Sequence, residues 1–409
     1  VKITSVETVQ VPPFYNLCWV RLHTDEGLTG LGETFRNAAA VAAYTHDVLA
    51  PLLLGRDPMA INGLVSDMRN RLDNRFQGFP TRSIELQSVS AVDIALWDLL
   101  GKALGQPLYQ LLGGACRDRI PVYNTCVRPG RDSVARRLMH YAPGAEGTTN
   151  VQGGRGGIAG DNLEEPGELA EELLAEGFTA MKYSPFDAYA DKTRGYDISL
   201  SDLKDGIKSV EKIRKAVGAR IDIYVDYHTR WQLPGALKIA AALNDFDVAW
   251  HEDAVQMHNM GDLQTFREHV RGHVVGAEAY ATVDWLREML PRRALDIVMF
   301  DTGWIGGVSE TRDIAALCRS FGRPFSPHDA TGPIVLLAGI HQAIASPAAL
   351  KQEVVRTFLK GYYRDLVTEL PRMENGHIQP PESAGLGTEL QPALFERQGV
   401  QCRVSAVNA

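Results

Sequence analysis

IYVD (223–226), AWHE (249–252) and VVGAE (274–278) are three short apolar runs, each closed by an acid: Asp226, Glu252 and Glu278. The acids stand 26 residues apart at both steps, which is the length of one strand-loop-helix-loop unit. Runs this short, apolar and flanked by helical windows read as buried strands of a parallel sheet. Successive parallel strands of a barrel all point the same way, so their last residues gather around one rim. Three carboxylates then face one another. At ~4 Å and an effective dielectric of ~20, each like-charged pair repels by roughly 4 kcal/mol, so the cluster needs either protons or a cation. All-oxygen ligands select a hard divalent ion, with magnesium the expected one.

Outward from these runs, strand-like segments end near Cys126, Ser184, His228, Glu252, Glu278, Asp301, His328 and Glu353. Helical windows such as 201–217, 261–271, 306–321 and 332–346 separate them. From Asp226 onward the chemistry-bearing ends fall at intervals of 26, 26, 23, 27 and 25 residues. Eight such ends predict a closed α/β barrel of the (β/α)8 type rather than an open sheet. The first two units are longer, with the excess in the Gly-rich stretch 144–160 and the polar loop 187–199, both expected over the mouth. Ahead of the barrel, residues 2–11 and 17–24 alternate apolar and polar side chains, and TDEGLTGLGE supplies turn chemistry and another short strand. Helical spacing covers 38–53, 58–72 and 83–104. The expected organisation is an α+β capping domain over 1–125, the barrel over 126–365, and a C-terminal segment over 366–409 that returns to the cap.

The chain has 409 residues, 45% hydrophobic and 22% charged, enough for a large core and two structural regions. A formal charge of −8, with no Lys/Arg run, argues against nucleic acid and for a small-molecule ligand. The five cysteines (Cys18, Cys116, Cys126, Cys318, Cys402) are scattered and never form a C-x-x-C pair, which speaks against a disulfide framework or a zinc site and fits a reducing cytoplasm. No apolar stretch approaches the ~18 residues of a membrane span, so a soluble protein without membrane contact is expected.

In VDYHTRW, Asp226 and His228 lie two residues apart and, on one strand, would project to the same face. A metal ligand beside an acid/base is the sharp reading; a surface strand with a chance Asp-x-His is the plain one, disfavoured by its register with the other acids. His251, one residue off Glu252, is expected to face away from the lumen. Asp301 (FDTGWIGG) and His328 (SPHDATGP) end neighbouring strands ~4.8 Å apart, so the carboxylate can orient the imidazole and raise its basicity. A satisfied structural histidine is the alternative. Glu353 could donate to an oxyanion if protonated, or pair with a nearby cation. Lys182 and Ser184 share a face of the second strand; the lysine could neutralise a substrate carboxylate or pair with the acids. Gly154–Ala159 imitates a dinucleotide fingerprint, but no strand precedes it and no helix opens after it, so it is read as a loop.

These motifs, with the cap segment SAVDIALWDLLGKALGQPLYQLLGG and the GLTGLGE turn, resemble the enolase superfamily, mandelate racemase subgroup, and within it the galactonate/gluconate-type sugar acid dehydratases. The resemblance covers nearly the whole chain and implies a modified (β/α)7β barrel with its cap. In this superfamily a Lys or His base works with one or two magnesium ions. Carried over, it implies that Asp226, Glu252 and Glu278 hold magnesium, and that His328, oriented by Asp301, removes the α-proton. Glu353 matches the residue that hydrogen-bonds the enolate oxygen, and His228 the one that protonates the departing hydroxyl. Ser184 replaces a second lysine found in racemases of the subgroup, and Ala254 stands where a proline is common. The implied activity is dehydration of an aldonate-type sugar acid to a 2-keto-3-deoxy acid. The alternatives are an epimerase, racemase or cycloisomerase on the same scaffold, or a binding protein that has lost turnover. Substrate contacts are expected from Lys182 and Arg230, and from the cap through Phe14, Tyr15, Asn16 and the segment 74–82. A homo-oligomer is expected from the resemblance.

Overall fold

The computed structural model describes residues 1–14, 16–70, 83–127 and 160–407. The N-terminal strands β1 (Ile3–Gln10), β2 (Leu17–Thr24) and β3 (Thr29–Phe35) form an antiparallel meander. One face of it lies against the helix Ile84–Leu104, which starts on the Ser83 side chain accepting from the Leu86 N–H (3.1 Å) and stops at Gly105 with φ 64°. That helix is buried on almost every side from Leu86 to Leu99. A helix buried all round belongs inside a protein, and this one is the layer between cap sheet and barrel. Its two buried acids serve as fasteners. Asp93 accepts from the Ser309 N–H (2.9 Å), and Asp98 accepts from Leu31 N–H (2.8 Å) and Leu386 N–H (2.7 Å).

Eight parallel strands follow: β4 (Ile120–Thr125), β5 (Ala180–Tyr183), β6 (Asp222–Asp226), β7 (Trp250–Glu252), β8 (His273–Gly276), β9 (Ile297–Phe300), β10 (Phe325–Pro327) and β11 (Gln352–Val354). Each pairs with the next from β4 to β10, and β11 pairs with β4. Between β10 and β11 the ring is joined by Leu350 N–H to Phe325 C=O (2.9 Å). The result is a (β/α)7β barrel with an α+β capping domain. Tyr123, Ala180, Tyr224, Trp250, Val275, Ile297 and Met299 fill its lumen, Tyr224 stacked on Trp250 at 4.0 Å. The barrel is therefore plugged below, and chemistry is confined to the C-terminal ends of the strands.

β4 occupies the last six positions of the stretch expected to be cap, because its apolar alternation serves the barrel. The tail divides. The hairpin β12 (Arg372–Glu374) and β13 (His377–Gln379) adds antiparallel to the start of β4, whereas β14 (Gln401–Ala406) pairs with β1 in the cap sheet. The cap window 38–53 is three pieces: helix Ala38–Tyr44, a π-helical turn Thr45–Leu49 and helix Ala50–Leu53. Among the described residues no helix is long and apolar enough to cross a membrane.

Candidate active site

Asp226 ends β6 and sits directly across from Glu252, which ends β7. Glu278 follows β8 by two residues, Asp301 follows β9 by one and His328 follows β10 by one, while Glu353 and Lys182 lie within β11 and β5. All seven side chains gather at the same end of the ring. His228 and His328 follow β6 and β10, four strands apart in a ring of eight, so they stand on opposite sides of the mouth.

The three rim acids are each engaged by a protein cation. Lys182 Nζ donates to Glu252 Oε1 and lies 2.8 Å from Glu353 Oε1. His228 Nε2 is 2.9 Å from Asp226 Oδ2, and His328 Nε2 is 3.0 Å from Glu278 Oε2. Burial acts to lower the Lys182 pKa, but the charges of Glu252, Glu353 and Asp226 outweigh it and hold the group well above the usual lysine value, as an ammonium. The acids themselves are all-oxygen donors on adjacent strands. Glu252 Oε2 is buried and has no hydrogen-bond partner, an acceptor left for a ligand outside the chain. Donor type and this orphan oxygen fit a hard divalent cation. As they stand, the acids are turned toward their ammonium and imidazole partners, and among the described residues no group of three His, Cys, Asp or Glu side chains surrounds a common point. Sharing an ion thus calls for rotamer changes within the rim.

His328 donates from Nδ1 to Asp301 Oδ2 (2.7 Å), leaving Nε2 toward the mouth. Asp301 is itself fixed by the Gly303 N–H (2.8 Å) and the Thr331 hydroxyl (2.5 Å), and Trp304 lies along the imidazole with ring centroids 5.3 Å apart. Burial opposes charging of His328, but Glu278, Glu353 and Asp301 together push its pKa up to about 10. The expected Asp301–His328 contact is present.

His228 reaches the mouth for a different reason than the one read from spacing. β6 stops at Asp226, and His228 and Thr229 follow with φ 50° and 54°, a left-handed turn rather than a continued strand. The His228 N–H is held by Asp226 Oδ1 (2.7 Å). Likewise β5 stops at Tyr183, and Ser184 lies just past it, with Oγ 3.2 Å from His228 Nδ1. Glu353 is paired rather than free: besides Lys182, it accepts from the Thr125 hydroxyl and the Asp329 N–H (3.2 Å). Arg230 Nη2 is taken by Asp191 Oδ1 at 2.6 Å, in the loop beyond β5. Asn16 is buried, and its carbonyl accepts the Arg36 N–H (2.9 Å). Phe14 stacks on Tyr362 at 4.7 Å, which packs the cap against the segment that follows β11. His251 bonds the Tyr227 hydroxyl (2.9 Å) and packs on Phe266, away from the lumen. Tyr15, 74–82, and the stretch 144–159 with its dinucleotide-like Gly154–Ala159 lie outside the described residues.

Sequence reasoning missed Asp187, Thr331 and Trp304. Asp187 Oδ2 is 2.7 Å from His228 Nδ1, but it opens a short helix, Asp187–Ala190, in a polar stretch with no spacing signal. Trp304 was visible in FDTGWIGG as an aromatic residue three places after Asp301.

Barrel, cap and a rim of acids between two histidines define a class, and comparison with known proteins agrees. Residues 2–113 match the family described as mandelate racemase / muconate lactonizing enzyme, N-terminal domain, and residues 165–394 match enolase C-terminal domain-like. The chain belongs to the enolase superfamily, in its mandelate racemase subgroup. A solved enolase of that subgroup from Agrobacterium tumefaciens is 42% identical over 99% of both chains, with a TM-score of 0.86. A D-xylonate dehydratase from Haloferax volcanii is 30% identical, covering 98% of this chain and 89% of its own. A D-galactonate dehydratase family member from Streptomyces bingchenggensis is 29% identical, covering 97% and 92%.

Proposed function

We propose that this chain is a magnesium-dependent hydro-lyase that dehydrates an aldonate-type sugar acid to a 2-keto-3-deoxy acid. The observation that carries the reading is the pair of imidazoles on opposite sides of one acidic rim, His328 bonded to Asp301 at 2.7 Å and His228 bonded to Asp187 at 2.7 Å. Relatives named D-xylonate and D-gluconate dehydratase support the reaction class.

A C–H beside a carboxylate is a very weak acid, because losing its proton adds charge to a group already charged. Asp226, Glu252 and Glu278 would hold magnesium, which when bound supplies positive charge to the substrate carboxylate. Lys182, kept charged and buried, adds a second fixed cation beneath it. His328 is charged while it faces bare acids, so it serves as base only after Nε2 has shed its proton, which a cation neutralising Glu278 would favour; the free Nε2 then takes the α-proton while Asp301 accepts from Nδ1–H and keeps the ring aimed. Hydroxide is a poor leaving group, so the β-hydroxyl departs as water with a proton from His228. The C–O electrons leave with that water, the former C–H pair becomes the C2–C3 double bond, and the resulting enol tautomerises to the keto acid. Glu353, 4.0 Å from His328 Nε2, is placed in this reading against the substrate carboxylate.

The test uses two variants in deuterated water. His328→Asn should abolish both α-proton exchange and keto-acid formation. His228→Asn should retain exchange and lose dehydration. Dehydration persisting in the first variant would defeat the assignment, and deuterium appearing in a recovered stereoisomer without keto acid would favour epimerisation instead.

A further inference from the structure

We infer that Asp187 is a positioning residue that fixes the imidazole of His228, forming a second carboxylate–imidazole pair across the mouth from Asp301–His328. The inference rests on the proton-donor role given to His228 above, but its own content is the orientation of that ring.

Four observations carry it. Asp187 Oδ2 lies 2.7 Å from His228 Nδ1, and Ser184 Oγ lies 3.2 Å from the same nitrogen, so one edge of the ring is held from the β5 side. The opposite nitrogen, Nε2, is thereby turned over Asp226 Oδ2 at 2.9 Å, into the rim. The backbone below is specified as tightly: His228 and Thr229 both have left-handed φ, 50° and 54°, with the Thr229 N–H bonded to Asp253 C=O at 2.8 Å and the His228 N–H to Asp226 Oδ1 at 2.7 Å. Left-handed conformations at consecutive residues without glycine, one of them β-branched, persist only where surroundings over-determine them, and they cluster at functional sites. The second oxygen of Asp187, Oδ1, is buried without a hydrogen-bond partner. The side chain therefore contributes its bonding to His228 rather than tying down its own loop. A carboxylate on Nδ1 does for a histidine what an orienting acid does in any such pair: it blocks the ring flip and leaves Nε2 to face the reactant.

Full-length protein is used for both arms of the test. Crystal structures of the magnesium-loaded wild type and Asp187→Ala are expected to show one ring orientation in the first and a rotated or divided ring in the second; a single unchanged orientation in Asp187→Ala would overturn the proposal whatever the substrate. The kinetic arm uses D-galactonate, D-gluconate and D-xylonate. On an acid that the wild type dehydrates, Asp187→Asn should lower keto-acid formation by about 10- to 100-fold. α-Proton exchange and KM should change by no more than about twofold, and Asp187→Glu should recover part of the rate. A parallel fall in exchange would reduce Asp187 to general structural support and overturn the proposal. Full dehydration by His228→Asn would instead sink the donor role of His228, with the orientation question still decided by the crystals.

Discussion

His341 lies far from the mouth, where its Nδ1 accepts from the Tyr109 N–H (3.3 Å) and its Nε2 donates to the Leu386 carbonyl (3.3 Å). One donor and one acceptor describe a neutral imidazole, and burial accordingly lowers its pKa to about 4. The native state takes up no second proton there between pH 6.5 and 4, while the unfolded chain does, so this group's stabilising contribution is complete above 6.5 and is lost as pH falls through that window. We expect His341→Gln, which keeps an acceptor and a donor, to flatten the pH dependence, with the wild type losing about 2 kcal/mol more than the variant between pH 7 and pH 5. Urea unfolding at the two pH values measures this; equal losses would refute it. At the same scale, the rim positions of Asp226, Glu252, Glu278, Asp301 and His328 were legible because each ends a strand or follows it by one or two residues and the strands recur at near-constant intervals. Asp187 and Thr331 were not, since a partner that arrives outside the strand ends obeys no period, and Trp304 was visible in its motif but carried no spacing of its own. The Asp-x-His spacing led to the mouth through an incorrect premise, a strand that in fact ends at Asp226.

β3 is the short strand expected after the turn chemistry of TDEGLTGLGE. It spans residues 29–35, and its glycines serve close packing rather than a turn. A Cβ at Gly32 would come 1.8 Å from the carbonyl oxygen of Ala91, and one at Gly30 would come 2.1 Å from that of Ala95, both on the helix Ile84–Leu104. Those contacts are backbone, which cannot swing aside. Gly32→Ala should therefore destabilise the protein by about 3 kcal/mol, the upper end of ordinary overpacking. Gly63→Ala provides the contrast: it sits in the helix Ile61–Asn70 with nothing within 4 Å of an added Cβ, and should stabilise by about 0.5–1 kcal/mol. Denaturant midpoints for the two variants should move in opposite directions. A shift of the same sign would show that β3 and the helix adjust more freely than their contact implies.

For the whole molecule, the rim's charge balance separates folding from catalysis. Because Asp226, Glu252 and Glu278 each meet a protein cation, His228, Lys182 and His328 respectively, chelation should abolish turnover and leave far-ultraviolet circular dichroism unchanged. Restoring magnesium to about 100 times its Kd should then add about 2.7 kcal/mol of stability. Collapse of the fold on chelation would contradict this balance. Barrel and cap were both legible in the sequence, one from its repeating interval and the other from its alternation. The limits between them were not, since β4 and the hairpin β12–β13 serve the barrel from stretches that border the cap in sequence. The cap sheet, ordered β14-β1-β2-β3, is built from strands more than 350 residues apart in the chain, Ser5 lying opposite Ala406. During synthesis on a ribosome, β1 would emerge ahead of the barrel and wait with one edge bare until the entire barrel had followed it out. Only β14, translated after the barrel, supplies the neighbour that covers that edge, so a message cut short before it would yield a barrel beneath an open-sided, self-adhesive lid.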